Sequence, residues 1–162
     1  PKTAWPPTFV RLAAGLEEAG VTVLDNSSAA VERGGESISV IGVRDPAFTA
    51  GRASSTVGSA LASLTGGDGY KILLSHRPEL FSTYVASGVD LVFAGHAHGG
   101  QVRLPVIGGL FAPGQGFFPE YDSGLYTSGT TRMIVSRGLG SSSFPVRIND
   151  RPEIVVAELI SK

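Results

Sequence analysis

The 162-residue sequence has no cysteine, one tryptophan, one methionine and three histidines. Without cysteine there are no disulfides and no thiolate metal sites, so any metal held here takes nitrogen and oxygen ligands. The redox compartment is left open by the same absence. Charge is also scarce, at 17% Asp, Glu, Lys and Arg with a formal net charge of −1. Lysines and arginines are dispersed, so neither a nucleic-acid footprint nor a basic patch for an anionic membrane is expected. No stretch approaches the roughly 18 apolar residues of a membrane span. What remains is 42% apolar residues over a length that suits one domain with a sizeable core. The chain opens at Pro1 rather than methionine, and we expect a processed or excised piece of a longer protein.

Pro6-Pro7-Thr8 followed by Phe9, Val10, Leu12, Ala13, Leu16 and Ala19 predicts a helix, with Thr8 as N-cap and Gly20 as its end. Val21–Leu24 reads as a short strand. Two more strands, around Ala29–Glu32 and Ser37–Val43, are joined by the hairpin signal Gly34-Gly35. Thr56–Leu64 predicts a second helix, Lys71–Ser75 a fully buried strand, Pro78–Ala86 a helix and Leu91–Ala94 another buried strand. From Gln101 to Tyr121, glycines, prolines and the aromatics Phe111, Phe117, Phe118 and Tyr121 follow no period. That pattern predicts a long loop of the kind that is usually functional. Gly124–Thr127 and Met133–Val135 read as a hairpin, and Ile154–Leu159 as a closing strand. Helices alternating with buried strands, then a hairpin-rich tail, predict an α/β layered fold with a mixed sheet.

All three histidines lie just past two of the buried strands, in Leu73-Leu74-Ser75-His76 and Phe93-Ala94-Gly95-His96-Ala97-His98-Gly99-Gly100-Gln101. Ligands of open α/β sheets bind beyond the carboxyl ends of the strands, and imidazole is the commonest neutral side-chain ligand of a transition metal. His96 and His98 are two apart, which on an extended segment puts both rings on one side. His76 ends the neighbouring run, so three imidazoles are expected to converge at one sheet edge. The plainer alternative is a surface histidine and a polar turn.

The run Gly95-His96-Ala97-His98-Gly99-Gly100-Gln101, with Leu73-Leu74-Ser75-His76-Arg77-Pro78 before it, resembles the calcineurin-like metallophosphoesterases. Within them it looks most like the bacterial phosphodiesterases and UDP-diacylglucosamine pyrophosphatases. The likeness continues through Val135–Gly140, Pro145–Asn149 and Arg151–Val156. It implies part of a four-layer α/β/β/α sandwich with mixed sheets and two divalent metal ions (Mn, Fe, Zn or Ni). His76 and His96 would serve one ion and His98 the other, with a metal-activated water attacking phosphorus. The substrate would be a phosphorylated small molecule or a lipid-like one. The family's earlier motifs, Asp-x-His, Gly-Asp-x-x-Asp and Gly-Asn-His-Asp/Glu, do not occur in this sequence. Residues 1–162 therefore correspond to the C-terminal portion of one metallophosphoesterase domain. Its catalytic groups are expected in an N-terminal half, and the isolated chain is expected to be incompetent without that half or a second copy. A bacterial setting, cytoplasmic or membrane-associated, goes with the likeness.

Other residues admit other readings. Asp45 could be a fourth, oxygen ligand of a mononuclear zinc hydrolase using His76, His96 and His98, although Asp45-Pro46 is also a common turn pair. Ser75 is excluded as a nucleophile for His76, because adjacent strand residues point to opposite faces. Arg137 and Arg147, in and after the Ser136–Ser143 loop, are candidates to bind substrate phosphate. The aromatics of the long loop either line an entrance for an apolar substrate or pack a flap. Gln101 is a candidate to orient a ligand histidine. A non-catalytic, self-associating fragment with incidental metal binding is the alternative to an enzyme.

Overall fold

The computed structural model describes residues 6–48, 52–142 and 145–160. Helix α1 (Pro7–Glu18) starts without any side-chain cap, since Pro6 is the N-cap and Pro7 the first helical residue. Thr8 is thus inside the helix rather than capping it: proline fixes a helical φ and has no N–H to satisfy. The expected end holds. The Gly20 N–H reaches Glu17 O at 3.0 Å, the Val21 N–H reaches Leu16 O at 2.9 Å, and Gly20 sits at φ 83°, a glycine-closed C-terminus.

Strands β1 (Ser27–Arg33) and β2 (Glu36–Gly42) pair antiparallel across Gly34-Gly35. They are followed by α2 (Ala53–Leu64), β3 (Tyr70–Leu74), a 3-10 turn at Pro78–Leu80 running into α3 (Phe81–Ala86), and β4 (Leu91–Ala94). The stretch expected as an unstructured loop holds two small ribbons instead. In them β5 (Arg103–Leu104) pairs with β6 (Gly108–Gly109), and β7 (Phe111–Ala112) with β8 (Gly116–Phe117). Strands β9 (Gly124–Ser128) and β10 (Thr131–Val135) form the last hairpin. The main sheet runs β1-β2-β3-β4-β10-β9, and β2, β3, β4 and β10 are mutually parallel while both edge strands are antiparallel. The α/β class with a mixed sheet is as the sequence predicts.

One cross-strand row, Ile41, Leu73, Val92 and Met133, is fully buried and packs with Val57 and Leu61 of α2 and Phe81 and Tyr84 of α3. The opposite face is also apolar but less covered. Its row Leu74–Phe93–Ile134–Leu125 ends on side chains that are 43% (Leu74) and 63% (Leu125) exposed. Two predicted strands are absent among the described residues. Val21–Leu24 makes no ladder: Leu24 packs against Gly42 of β2, whose two edges are already taken by β1 and β3. Ile154–Leu159 also pairs with nothing, and Ile154, Val156 and Leu159 are exposed. A β-prone run becomes a strand only where a free edge receives it. No helix among the described residues is long and apolar enough to cross a membrane.

Because four strands run the same way, their carboxyl ends lie along one edge. There β2 leads into Asp45, β3 into His76 and Arg77, β4 into His96 and His98, and β10 into Arg137.

Candidate metal centre

His76 and His96 come together at that edge, with ring centroids 4.3 Å apart at 51°. His76 keeps about half of its side chain in solvent, and its Nε2 lies 3.9 Å from Asp45 Oδ2. His96 is more enclosed. Burial pushes its pKa down from 6.5 to about 4, with the neighbouring His76 and Arg77 adding to the effect. At neutral pH it is an uncharged imidazole, the form that ligates metals.

Arg77 stands between these groups. Its Nε donates to Asp45 Oδ1 and Oδ2 at 3.0 and 3.1 Å, and its Nη1 faces Glu79 Oε1 at 3.4 Å and His96 Nε2 at 3.0 Å. Burial raises the Asp45 pKa, but the Ala47 N–H and the Arg77 guanidinium outweigh it and hold the carboxyl below its ordinary value. The same carboxylate accepts the Ala47 N–H at 2.8 Å, so the turn reading of Asp45 is right and the residue also faces the histidine pair. Both of its oxygens are taken up by Arg77, unlike those of an open zinc ligand. The Ser75 hydroxyl is 2.7 Å from Tyr84 OH, which in turn donates to Arg77 O. That bond ties the end of β3 to α3 and leaves Ser75 no nucleophilic geometry.

His98 departs from the expected arrangement. Residues 96 to 101 are not extended: His96, His98, Gly99, Gly100 and Gln101 all have φ between 48° and 79°. Ala97 alone is right-handed, and a 3-10 turn spans His98–Gly100. The two-residue rule for a common face fails because the strand stops at Ala94. The His98 pKa is lowered by burial, by Arg147 and by His76, with a hydrogen bond to the Gly140 backbone and the Asp150 carboxylate acting the other way. Among the described residues, no three His, Asp or Glu side chains converge to hold a metal ion. The donor set therefore fits part of a coordination shell: two imidazoles and a nearby carboxylate suit a borderline divalent cation, with further ligands to come from elsewhere. Left-handed conformations at non-glycine residues cost about 1–2 kcal/mol each and collect at functional sites.

Gly99 is required for a second reason. A Cβ there would lie 2.2 Å from Asp150 Oδ1 and 2.8 Å from Arg137 Cγ. This contact brings the histidine turn against a separate charged cluster. Arg137 binds Glu153 Oε2 through Nε and Nη2 at 2.9 and 2.7 Å. Arg147 donates to Asp150 Oδ2 at 3.0 Å and to the carbonyls of Arg137 and Gly140. The Asp150 side chain has 0% exposure, and burial raises its pKa despite Arg147, Arg103 and Arg137. Both arginines singled out in the sequence thus pair with carboxylates of the chain, Arg137 with Glu153 and Arg147 with Asp150. Gln101 takes part through its backbone, its N–H reaching His98 O and its carbonyl accepting the Ile148 N–H.

The long loop divides in two. Tyr121 packs edge-on against Phe81 and Tyr126. Asp122 Oδ2 anchors the ribbons by accepting from Arg103 Nη1 at 2.9 Å and the Gly109 N–H at 2.6 Å. Phe111 and Phe117 pack against each other, and with Val106, Ile107 and Phe118 they project into solvent. Sequence reasoning assigned no role to Arg77, Glu79 or Asp150. The one available signal was that Arg77 immediately follows a candidate ligand.

No protein-family model and no solved structure matches the chain. Curated proteins do. It is 32% identical over 145 residues to Phosphodiesterase YaeI of Escherichia coli, covering 90% of this chain and 50% of that protein. It is 39% identical over 92 residues to the uncharacterized metallophosphoesterase YkuE of Bacillus subtilis, covering 57% of this chain and 32% of the relative. With the B. subtilis metallophosphoesterase YkoQ it shares 28% over 151 residues, covering 93% and 54%. The chain spans between a third and about half of the length of these relatives. A mixed α/β sheet with its histidines gathered at the carboxyl ends of parallel strands agrees with those matches, and the chain belongs to the calcineurin-like metallophosphoesterase superfamily.

Proposed function

We propose that this chain is the C-terminal portion of a metallophosphoesterase domain that hydrolyses a phosphomonoester, phosphodiester or pyrophosphate. The observation that carries the reading is the His76–His96 pair at the ends of adjacent parallel strands, with the Nε2 lone pair of His96 turned toward a cationic group. His76 and His96 would hold one divalent ion and His98 a second. Bound metal would supply a Lewis acid and an activated water. This chain's own part is to bring two imidazoles together at the sheet edge and to keep that of His96 uncharged. Bridging carboxylates would come from an N-terminal half of the same protein.

The exposed sheet face ending on Leu74 and Leu125 supports a covering partner, either that half or a second copy. The projecting side chains of Val106, Ile107, Phe117 and Phe118 support an ester with an apolar or lipid-like substituent. The test is hydrolysis of bis(p-nitrophenyl) phosphate with Mn²⁺, by the chain alone and after adding the N-terminal half. Turnover that appears only with both parts, and is lost in His96→Ala, supports the reading. Equal turnover in His96→Ala refutes it.

A further inference from the structure

We propose that Arg77 gates the cation site: its guanidinium holds the His96 Nε2 lone pair, and a divalent ion must displace it to bind there. This rests on the reading of His96 as a metal ligand. Arginine has only donors, so the 3.0 Å contact from Nη1 makes Nε2 the acceptor and places the ring proton on Nδ1. That is the tautomer a metal at Nε2 needs, and it is already directed at a positive charge. The imidazole is set for a cation, and an internal cation sits on it.

The gate is hinged rather than loose. Nε is fixed by both oxygens of Asp45, at 3.0 and 3.1 Å, so the guanidinium can turn without leaving the site. It also has somewhere to turn. Glu79 Oε1 lies 3.4 Å from Nη1, while Glu79 Oε2 is buried with no hydrogen-bond partner among the described residues. A buried carboxylate oxygen without a donor is costly, and a displaced Nη group would satisfy it. The open position exchanges an Arg77–His96 bond for a second Arg77–Glu79 bond and leaves Nε2 to the metal. Asp45 and Glu79 also screen the guanidinium from the incoming ion, which is why the arginine need not be expelled to water.

The experiment compares the chain with its Arg77→Met, Arg77→Lys and His96→Ala variants in two measurements. The first is acylation of His96 by diethyl pyrocarbonate, read by peptide mass against exposed His76, and it needs no metal. The second is Zn²⁺ affinity by titration calorimetry. With the gate removed, His96 in Arg77→Met should label several-fold faster and Zn²⁺ should bind about tenfold tighter, the worth of one charge-assisted hydrogen bond. Arg77→Lys should fall between, because one ammonium cannot keep both contacts. Should Arg77→Met fail to fold, Arg77→Lys is read by the same two measurements. Unchanged His96 labelling overturns the gate. Faster labelling with unchanged or weaker Zn²⁺ binding, while His96→Ala abolishes binding, also overturns it and leaves the metal reading standing. No Zn²⁺ binding by any form removes both.

Discussion

Two charged clusters lie along the same edge of the sheet. At the ends of β2, β3 and β4, Asp45, His76, Arg77, Glu79 and His96 form a cluster in which His76 keeps about half of its side chain in solvent and the His96 Nε2 is met only by the Arg77 guanidinium among the described contacts. Past β10, Arg137, Arg147, Asp150 and Glu153 close around one another, and Asp150 is wholly enclosed. The residue types are nearly the same, yet the second cluster cements the 146–153 segment to the histidine turn, whereas the first leaves groups free for chemistry. Each cluster holds one buried carboxylate oxygen without a hydrogen bond among the described residues, Glu79 Oε2 and Asp150 Oδ1, so it is enclosure that separates the structural network from the reactive one. Arginine count alone does not.

The sharpest way to break this comparison is Asp150→Ala, which leaves two guanidinia facing each other in a closed space. It should cost about 3–5 kcal/mol of stability in urea unfolding, and a loss below about 1 kcal/mol would make the closed cluster no more structural than the open one. Gly99→Ala should come next, at roughly 2 kcal/mol, since it adds a clash to a left-handed backbone. Thermal unfolding and the His98 ring signals in NMR check it. His96→Ala should do the reverse, weakening Zn²⁺ binding at least about tenfold while stability moves by no more than about 1 kcal/mol.

Acid sharpens the contrast further. His96 has a folded pKa of about 4 against an ordinary 6.5, so between those values the unfolded chain binds the extra proton. Stability from this group is present above pH 6.5 and is lost as pH falls toward 4. Melting temperatures between pH 7 and 4 should therefore fall more steeply in the native chain than in His96→Gln. Asp150 works the other way, because burial raises its pKa and the folded form is therefore favoured as the carboxyl takes up a proton. The smallest effect is expected at the loop tips. Phe117→Ser with Phe118→Ser should change stability by less than about 0.5 kcal/mol, yet raise KM for an acyl-bearing phosphoester relative to a small one.

Much of the scaffold was legible because its signals are local. Continuous apolar runs at Ile72–Leu74 and Leu91–Ala94 could only be buried strands between neighbours, and Gly34-Gly35 between alternating runs could only be a hairpin. The address of the histidines followed from strand polarity. Their mutual geometry did not, because the left-handed turn at 96–101 depends on Gly99 being pressed against Asp150, about fifty residues away in sequence. Arg137 and Arg147 looked like phosphate binders from composition, and only the fold reveals the carboxylates that occupy them. Val21–Leu24 and Ile154–Leu159 have strand propensity but pair with neither outer strand of the sheet, β1 or β9, and propensity carries no information about where an edge lies.

The chain leaves the main sheet after β4 and re-enters it at the edge strand β9, with β10 between the two, so residues 95–123 form a single excursion. Both ends are pinned by one sheet, so the entropy of closing the excursion depends only weakly on its length, and doubling a loop costs only about 0.6 kcal/mol. The histidine turn sits at the entry, held by Asp150, and the apolar tips lie farther along. Gly109 lies against the histidine turn and Gly114 against Glu79, so only the outer turn at Pro105–Ile107, with Val106 and Ile107 in solvent, is open to lengthening or exchange with the imidazoles left in register, which gives this scaffold one place to change what it recognises without rebuilding where it reacts.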